Sequence, residues 1–207
     1  NGEIYNYQTL REELIAAGHT FTTKSDTEVL LHGYEQWGVD LLQRVRGMFT
    51  FVIWDKNKQE LFGARDHFGI KPFYYAKMNG TFMYASEIKS LLRHPDFVKE
   101  LNAEALKPYM TFQYPAIGET FFKGVYKLPE GHYFTYRDGK MDIHRYYDED
   151  FREGKQKLGE LVNSIDQTVC DSVKAHQIAD VEVGSFLSSG VDSSYVAAVA
   201  RPQHTYS

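Results

Sequence analysis

The sequence predicts an α+β fold for most of the chain, followed by the first strand and helix of an α/β unit. Two amphipathic helical patterns come first, and a series of short, aromatic-rich strands separated by turns follows them. A charged, apolar-poor segment then precedes a long amphipathic helix and a strand–loop–helix pattern. The chain therefore divides into one large region and one smaller region.

Two helices are predicted in the first 38 residues. The stretch "YQTLREELIAAGH" carries an apolar stripe, and Gly18 is placed to end the helix. This stripe contains Leu10, Leu14 and Ala17. In "SDTEVLLHGYEQWG", Ser25 or Asp26 can cap the helix and Gly38 ends it. The second stripe contains Val29, Leu30, Tyr34 and Trp37.

Strands and short helices fill the next hundred residues. "MFTFVIWD" and "ELFGARD" flank "KNKQ" as a hairpin, and "KPFYYAKM" and "TFMYASE" flank "NG", a strong two-residue hairpin signal. "SEIKSLLRH" predicts a short helix, and Pro108 interrupts or starts another in "NAEALKPYMTFQY". "KGVYKLPEGHYFTYRDGKMDIHRYYD" predicts further strands joined by "PEG" and "DGK" turns.

The second region begins after a predicted linker at residues 148–156, which separates a first domain at 1–147 from a second at 157–207. The helix "LGELVNSIDQTVCDSVKAH" has one apolar face, and "VEVGSFL" reads as a strand. That face contains Leu158, Leu161, Val162, Ile165, Val169 and Val173. Because one strand and helix cannot bury both faces of the strand, we expect the chain to belong to a longer polypeptide.

Composition narrows the function classes. Hydrophobic residues make up 43% of the 207 residues and charged residues 25%, which is ordinary for a globular protein. The net charge is −5 without a basic patch, so neither nucleic acid nor an anionic membrane is an expected partner. No apolar run reaches membrane-spanning length. The one cysteine, Cys170, excludes an intrachain disulfide and fits a cytoplasmic protein.

The stretch "VEVGSFLSSGVDSSYVAAVA" predicts an anion site. A strand that runs through a Ser/Gly loop into a helix directs backbone N–H groups and the helix dipole at one point. Asp192 suits such a site only if Mg²⁺ bridges its carboxylate to a phosphate. On composition alone, an ordinary capped helix is an equally good reading. The loop also lacks the Gly-Lys-Ser/Thr ending of a Walker sequence.

The opening "NGE" permits two readings. The Asn1 side-chain amide and the Gly2 backbone N–H are two donors that can converge on one oxygen, as acyl transfer requires for a tetrahedral oxyanion. Asn-Gly is also a natural turn, and taken alone the turn reading is favoured.

The rest of the sequence favours the oxyanion reading over the turn reading. Six stretches occur in this order: "NGEIYNYQTLREEL", "SDTEVLLHGYEQWG", "RGMFTFVIWD", "RDHFGIKPFYY", "YASEIKSL" and "KLPEGHYF". Together they resemble the glutaminase domain of glutamine-hydrolysing asparagine synthetases, which are class II amidotransferases. The resemblance implies an N-terminal-nucleophile αββα sandwich without its beginning, followed by the start of an adenine-nucleotide-binding synthetase domain. The Ser/Gly loop resembles the pyrophosphate loop Ser-Gly-Gly-x-Asp-Ser-Ser, with Ser189 in place of the first glycine.

The resemblance implies roles for residues near the N-terminus. Asn1, through its side chain, and Gly2, through its backbone N–H, match the oxyanion hole, and Glu3 matches a glutamine-binding position. Asp26 matches the carboxylate that pairs with the α-ammonium of glutamine, although it could also cap its helix.

In the second domain the resemblance assigns ATP binding to Leu187, Ser188, Gly190, Asp192 and Ser193, with Mg²⁺ held by Asp192 through pyrophosphate. The implied small-molecule partners are glutamine, aspartate and ATP, and the family suggests a homodimer. The implied reaction hydrolyses glutamine to ammonia and amidates aspartate through β-aspartyl-AMP.

One element of that chemistry is missing. The family nucleophile is an N-terminal cysteine, whereas Cys170 lies in the long helix and reads as a partly buried structural thiol. We therefore expect this polypeptide alone to be inactive. The open alternatives are a β-lactam-synthetase-like relative with a degenerate glutaminase domain and a non-catalytic glutamine-binding module. In "RDHFGIKPFYY", Arg65, Asp66 and Lys71 read as structural pairs, buried or facing another domain.

Overall fold

The computed structural model describes residues 1–114 and 117–207. The chain forms two compact units, Asn1–Glu149 and Asp150–Ser207. The first unit mixes helices with antiparallel sheets, so the predicted α+β class is confirmed.

The elements of the first unit agree with the pattern of the sequence. Its helices are α1 (Tyr7–Ala16), α2 (Asp26–Trp37), α3 (Ile88–Leu91) and α4 (Leu106–Phe112), with 3₁₀ turns at Gly38–Gln43 and Ala103–Ala105. Its strands are β1 (Gly2–Ile4), β2 (Gly47–Asp55), β3 (Glu60–Arg65), β4 (Tyr74–Met78), β5 (Thr81–Ala85), β6 (Val125–Lys127), β7 (His132–Arg137) and β8 (Lys140–Arg145).

Two antiparallel sheets organise these strands. The larger has the order β1-β2-β3-β7-β8 and the smaller the order β5-β4-β6. Both predicted hairpins are confirmed: β2 pairs with β3, and β4 pairs with β5. The "NG" turn has positive φ at Asn79 (50°) and Gly80 (82°), as a twist-matched two-residue hairpin requires. The "PEG" segment does not form a hairpin, because the strands on either side of it belong to different sheets.

Alternation along the strands places a different core on each face of the larger sheet. One face packs against α1 and α2 through Leu14, Val29 and Phe62, which are almost fully buried. The opposite face packs against the smaller sheet, where Phe82 of β5 lies 6.0 Å from Phe134 of β7, centroid to centroid. The helix α3 covers the outer face of the smaller sheet through Leu91.

Two local predictions in this unit are wrong. Ala17 is exposed, because α1 ends at Ala16 and Gly18 reverses the chain with φ +100°. The segment that begins at Gly2 is a strand and not a turn, because the chain continues extended along β2.

The second unit contains α5 (Leu158–His176), β9 (Ser185–Phe186), α6 (Val191–Ala200) and β10 (Thr205–Tyr206). The bounds of α5 match the predicted helix, and β9 pairs in parallel with β10. The strand is shorter than "VEVGSFL", and α6 starts four residues before "YVAAVA".

The apolar face of α5 is mostly exposed within this unit. Val173, near its C-terminal end, is buried, whereas Leu158 and Ile165 are 79% and 60% exposed. Among the described residues, no helix is both long and apolar enough to cross a membrane.

Candidate functional site

The strand β1 lies at the edge of the larger sheet, and its pairing fixes the direction of its amides. Asn1 and Thr50 exchange two backbone hydrogen bonds, of 3.0 and 2.8 Å, and the Tyr5 N–H donates to Arg46 O at 2.7 Å. Odd-numbered residues therefore bond to β2. Because directions alternate along an antiparallel strand, the amides of Gly2 and Ile4 face the open edge.

Glycine is required at position 2 by both conformation and space. Its φ is +138°, a value that residues with a side chain rarely adopt. A Cβ placed there would lie 2.0 Å from the carbonyl oxygen of Met48. Gly47 stands opposite Ile4, and a Cβ there would lie 2.1 Å from Glu3 O. The two glycines thus allow an unusually close approach of the backbones.

Asp26 reaches this open edge from the first position of α2. Its Oδ2 accepts a 3.0 Å hydrogen bond from the Ile4 N–H. The helix cap is Ser25, which has an extended backbone and whose Oγ accepts the Thr27 N–H at 3.1 Å. The sequence left the cap open between Ser25 and Asp26, and the structure leaves the Asp26 carboxylate to contact β1 instead.

The remaining N-terminal site residues lie on the same strand. The Asn1 Nδ2 donates to Ser86 Oγ at 3.0 Å, and Glu3 is exposed and pairs with Met48. Asn1, Gly2 and Asp26 therefore meet along one sheet edge. Ser86 was not among the predicted site residues, although the stretch "YASEIKSL" contains it.

Two buried charged residues, Arg65 and Asp66, stabilise the region around β2, the strand that pairs with β1. The Asp66 carboxylate, 1% exposed, accepts backbone N–H groups. The donors are Phe49, Phe68, Ile70 and Lys71, at 3.2, 3.2, 2.9 and 3.0 Å. Phe49 belongs to β2, so Asp66 fastens the segment after β3 to the neighbour of β1.

The Arg65 guanidinium, 2% exposed, donates to backbone carbonyls of the same region. Its acceptors are Lys71, Leu128 and Gly69, at 2.7, 2.7 and 2.5 Å. The predicted pairing among Arg65, Asp66 and Lys71 is therefore wrong in its partners: the two buried charges are satisfied mainly by backbone groups.

The loop of the second unit is folded by its own hydroxyls. Ser188 Oγ lies 2.8 Å from Ser193 Oγ, which also donates to Ser188 O and Gly190 O at 3.0 and 3.1 Å. Ser194 Oγ donates to Gly190 O at 2.8 Å. The Leu187 N–H donates to Tyr206 O at 2.7 Å, which extends the parallel pairing into the loop.

The start of α6 is open. Gly190 occupies the N-cap position with φ −79°, and no side chain caps the helix. Because glycine is itself a favoured N-cap residue, the reading as an ordinary capped helix stays open. Asp192 is exposed in the first turn. An uncapped helix start beside hydroxyl groups offers backbone donors to an anion, and an exposed carboxylate there can hold a hydrated Mg²⁺ against it. The residues present therefore fit a magnesium–phosphate group.

Family models match both parts of this chain. Residues 1–147 match the glutamine amidotransferase domain, and residues 164–207 match the asparagine synthase family. The chain therefore belongs to the glutamine amidotransferases, with a segment of an asparagine synthase domain after that domain.

Curated relatives show which glutamine amidotransferases this chain is similar to. The chain is 45% identical over 99% of its length to asparagine synthetase [glutamine-hydrolyzing] 1 of Bacillus subtilis (strain 168), and covers 32% of that protein. It is 36% identical over its whole length to asparagine synthetase [glutamine-hydrolyzing] 3 of the same strain, and covers 35% of it. The resemblance to glutamine-hydrolysing asparagine synthetases is thus confirmed, and the chain spans about a third of the length of these relatives.

Among solved structures, the chain is similar to one titled as the structure of the allosteric regulatory enzyme of purine biosynthesis. The TM-score is 0.50 with 17% sequence identity, over all of this chain and 43% of the other. At this identity the likeness concerns the fold alone.

Proposed function

We propose that the first unit is an N-terminal-nucleophile αββα sandwich whose β1 edge binds L-glutamine for hydrolysis. The observation that carries the proposal is the hydrogen bond from Ile4 N–H to Asp26 Oδ2. It holds a carboxylate on the same open edge toward which the Gly2 amide is directed. The Asp26 carboxylate, held at Ile4, would bind a cation, and the Gly2 amide would donate to an oxyanion. The two groups therefore face the same edge of β1 at positions two residues apart.

Asn1 and Gly2 provide the donors for the oxyanion. The Gly2 N–H faces outward from the sheet. The Asn1 amide has two N–H donors, of which one is engaged by Ser86 Oγ. That bond orients the side chain and leaves the second donor for a substrate oxygen. Preorganised donors of this kind stabilise the charge that develops on the carbonyl oxygen in the transition state.

Asp26 binds the α-ammonium of glutamine. The carboxylate is half-buried, so a charge-assisted hydrogen bond to an ammonium there is stronger than one at a fully exposed site. The Ile4 N–H holds Oδ2, whereas Oδ1 has only long contacts with the Ser25 and Thr27 hydroxyls, at 3.5 and 3.4 Å, and can accept a bond from the substrate. Glu3 is the fourth residue that we propose to contact glutamine, besides Asn1, Gly2 and Asp26.

The nucleophile of the proposed hydrolysis is a cysteine thiol, and residues 1–149 contain no cysteine. Cys170 lies in α5 of the second unit, partly buried, with Sγ 3.9 Å from Asp166 Oδ1. In the whole protein the thiol forms a thioester with glutamine and releases ammonia, which then amidates aspartate. These 207 residues alone are inactive as a glutaminase.

The second unit contributes to ATP binding. The Leu187–Ser193 loop offers hydroxyl and backbone donors to the pyrophosphate part of ATP, and Asp192 holds Mg²⁺ beside it. Bound there, Mg²⁺ would supply neutralisation of the phosphate charge, and the residues that would hold it beside the pyrophosphate are Asp192 and the loop that leads to it.

A titration of the isotope-labelled chain, followed by NMR, tests glutamine binding. L-Glutamine should shift the backbone amide signals of Gly2 and Ile4. Glutaramate, which is the same molecule without the α-amine, should bind more weakly. Asp26→Asn should weaken glutamine binding at least about tenfold, because the charge-assisted bond to the ammonium is lost, and should leave glutaramate binding unchanged.

The matched control is Asp40→Asn, an exposed aspartate in the Gly38–Gln43 turn that should behave as the parent chain does. Equal weakening of both ligands by Asp26→Asn would show a structural role for this carboxylate. Absence of amide shifts with millimolar glutamine would contradict the proposal.

The role of the loop is tested in a full-length protein that contains this chain. Asp192→Asn should abolish ATP-dependent asparagine synthesis and spare glutamine hydrolysis, because the two sites lie in separate units. Equal loss of both activities would contradict this assignment.

A further inference from the structure

Two histidines and a glutamate meet where the turn after α1 lies beside α2. His19 follows Gly18, and its backbone N–H donates to Leu14 O at 3.0 Å. His32 and Glu35 stand three residues apart on α2. The His19 and His32 side chains are only 17% and 16% exposed, whereas Glu35 is 52% exposed. One ligand atom from each residue lies within 4.8 Å of the others.

The distances around the Glu35 carboxylate lie on either side of those in a metal-ligand set. Glu35 Oε2 lies 3.7 Å from His19 Nδ1 and 2.7 Å from His32 Nδ1. Ligands bound tetrahedrally to Zn²⁺ at their usual bond lengths lie about 3.4 Å apart. A small movement of the exposed Glu35 side chain would therefore convert this cluster into a coordination triangle, with the more buried imidazoles already in place.

The outer nitrogens of the two rings also face oxygen atoms. His19 Nε2 lies 2.9 Å from Gln36 Oε1, and His32 Nε2 lies 3.8 Å from Glu28 Oε1. A histidine that binds a metal usually donates its other N–H to such an oxygen, which fixes the ring and its tautomer. A neutral imidazole has one N–H. Without a metal, His32 Nδ1 is hydrogen-bonded to the Glu35 carboxylate at 2.7 Å. In the tautomer with the N–H at Nε2, each Nδ1 instead offers a lone pair on the side of Glu35, where a cation can take the place of the proton.

Glu28 is fixed as an anion behind His32. Its carboxylate accepts bonds from the backbone N–H and the hydroxyl of both Thr22 and Thr23, at 2.5 to 2.9 Å. These hydrogen bonds, led by the one from the Thr22 N–H, lower the pKa of Glu28 to about 2. The segment that joins α1 to α2 is therefore tied to this anion.

We propose that His19, His32 and Glu35 bind a divalent transition-metal ion, with Zn²⁺ as the best match to two imidazoles and one carboxylate. Imidazole nitrogen and carboxylate oxygen suit Zn²⁺, and three protein ligands leave a fourth position for water. The bound ion fastens the turn after α1 to the middle of α2. This role is structural and independent of glutamine binding, although the fastened segment leads directly to Asp26.

Calorimetric titration of the tag-free chain with ZnCl₂ tests the site. We expect one ion per chain. His19→Ala and Glu35→Gln should each weaken binding by at least about tenfold, because even the loss of an outer-shell partner commonly costs that much. The control is His94→Ala, which removes an exposed histidine that faces Asp96 elsewhere in the unit. It should bind zinc as the parent chain does.

Two further measurements distinguish the loss of a metal ligand from the loss of the fold. Thermal unfolding without metal identifies any variant that has lost its fold, and Glu35→Gln should keep the parent midpoint because its side chain is half exposed. The absorption spectrum of the Co²⁺-loaded chain should show tetrahedral coordination, which Glu35→Gln abolishes. Zinc binding that is unchanged in both variants, or that is absent at millimolar zinc, would overturn the proposal.

Discussion

Replacement of Asp66 by asparagine tests whether the buried carboxylate stabilises the first unit through backbone hydrogen bonds. The carboxylate has two acceptor oxygens, and each accepts two N–H groups: Oδ2 from Phe49 and Lys71, and Oδ1 from Phe68 and Ile70. Asparagine keeps one acceptor and turns the other into an NH₂ donor. In either orientation, two backbone N–H groups lose their acceptor and face another donor.

The expected loss follows from those two bonds. A hydrogen bond to a charged group contributes about 1.5–3 kcal/mol net, so losing two costs about 3–6 kcal/mol. The bonds from Phe49 and Phe68 are long, at 3.2 Å, which favours the lower half of this range. A domain typically has about 5–15 kcal/mol of stability in total, so Asp66→Asn should come close to unfolding the unit.

Urea unfolding followed by tryptophan fluorescence measures this effect. Both tryptophans, Trp37 and Trp54, lie in the first unit, so the signal reports that unit alone. The midpoint should fall strongly while the dependence on urea concentration stays unchanged. Asp138→Asn, whose side chain is 90% exposed, is the control and should leave the midpoint unchanged. A loss below about 1 kcal/mol, the net value of one ordinary hydrogen bond, would refute the reasoning.

Three further predictions concern the same unit. Gly63→Ala places a Cβ 2.3 Å from Phe134 Cε1 on the neighbouring strand, and overpacking should cost about 1–3 kcal/mol in urea unfolding, so an unchanged midpoint would contradict the packing of Phe134 over Gly63. Burial lowers the pKa of His67 below 6.5, so the folded state keeps the neutral ring and should lose stability as the pH falls below about 6.5. His67→Gln should remove this slope between pH 7 and 5, and persistence of the slope would assign it to another group. Gly2→Ala should detach β1, because its Cβ meets a carbonyl at 2.0 Å; loss of cross-strand NMR contacts and a lower urea midpoint, caused by exposure of the buried Ile4, are expected, and intact contacts would contradict the prediction.

Local signals in the sequence predict most elements of the fold. Helix stripes, stop glycines and the "NG" turn act over a few residues, so α1, α2 and both hairpins follow from them. The partners of Arg65 and Asp66 were not predictable in this way, because a pattern shows that a charge is buried but not which backbone groups surround it. The exposed stripe of α5 shows the same limit: the pattern gives the apolar face but not what covers it.

One candidate site was predicted from the sequence, and the other was found only in the structure. Asn1, Gly2 and Asp26 were proposed from their family resemblance, and the structure places them along one sheet edge, although their roles in glutamine binding stay predictions. The cluster of His19, His32 and Glu35 was not predicted. His32 and Glu35 show helical spacing, but His19 comes from another element, and only the folded chain brings the three together.

The register of β1 against β2 links the stability of the first unit to the geometry of the proposed glutamine site. A shift by one position would exchange the inward and outward amides, expose Ile4 and turn Glu3 toward the core. Exposing a buried isoleucine and burying a carboxylate both cost stability, so an unfolding experiment would detect the shifted chain. The same shift would turn the wrong amides toward the proposed site. The buried Ile4 and the glycines at positions 2 and 47 therefore fix the stability of β1 and the direction of its amides together.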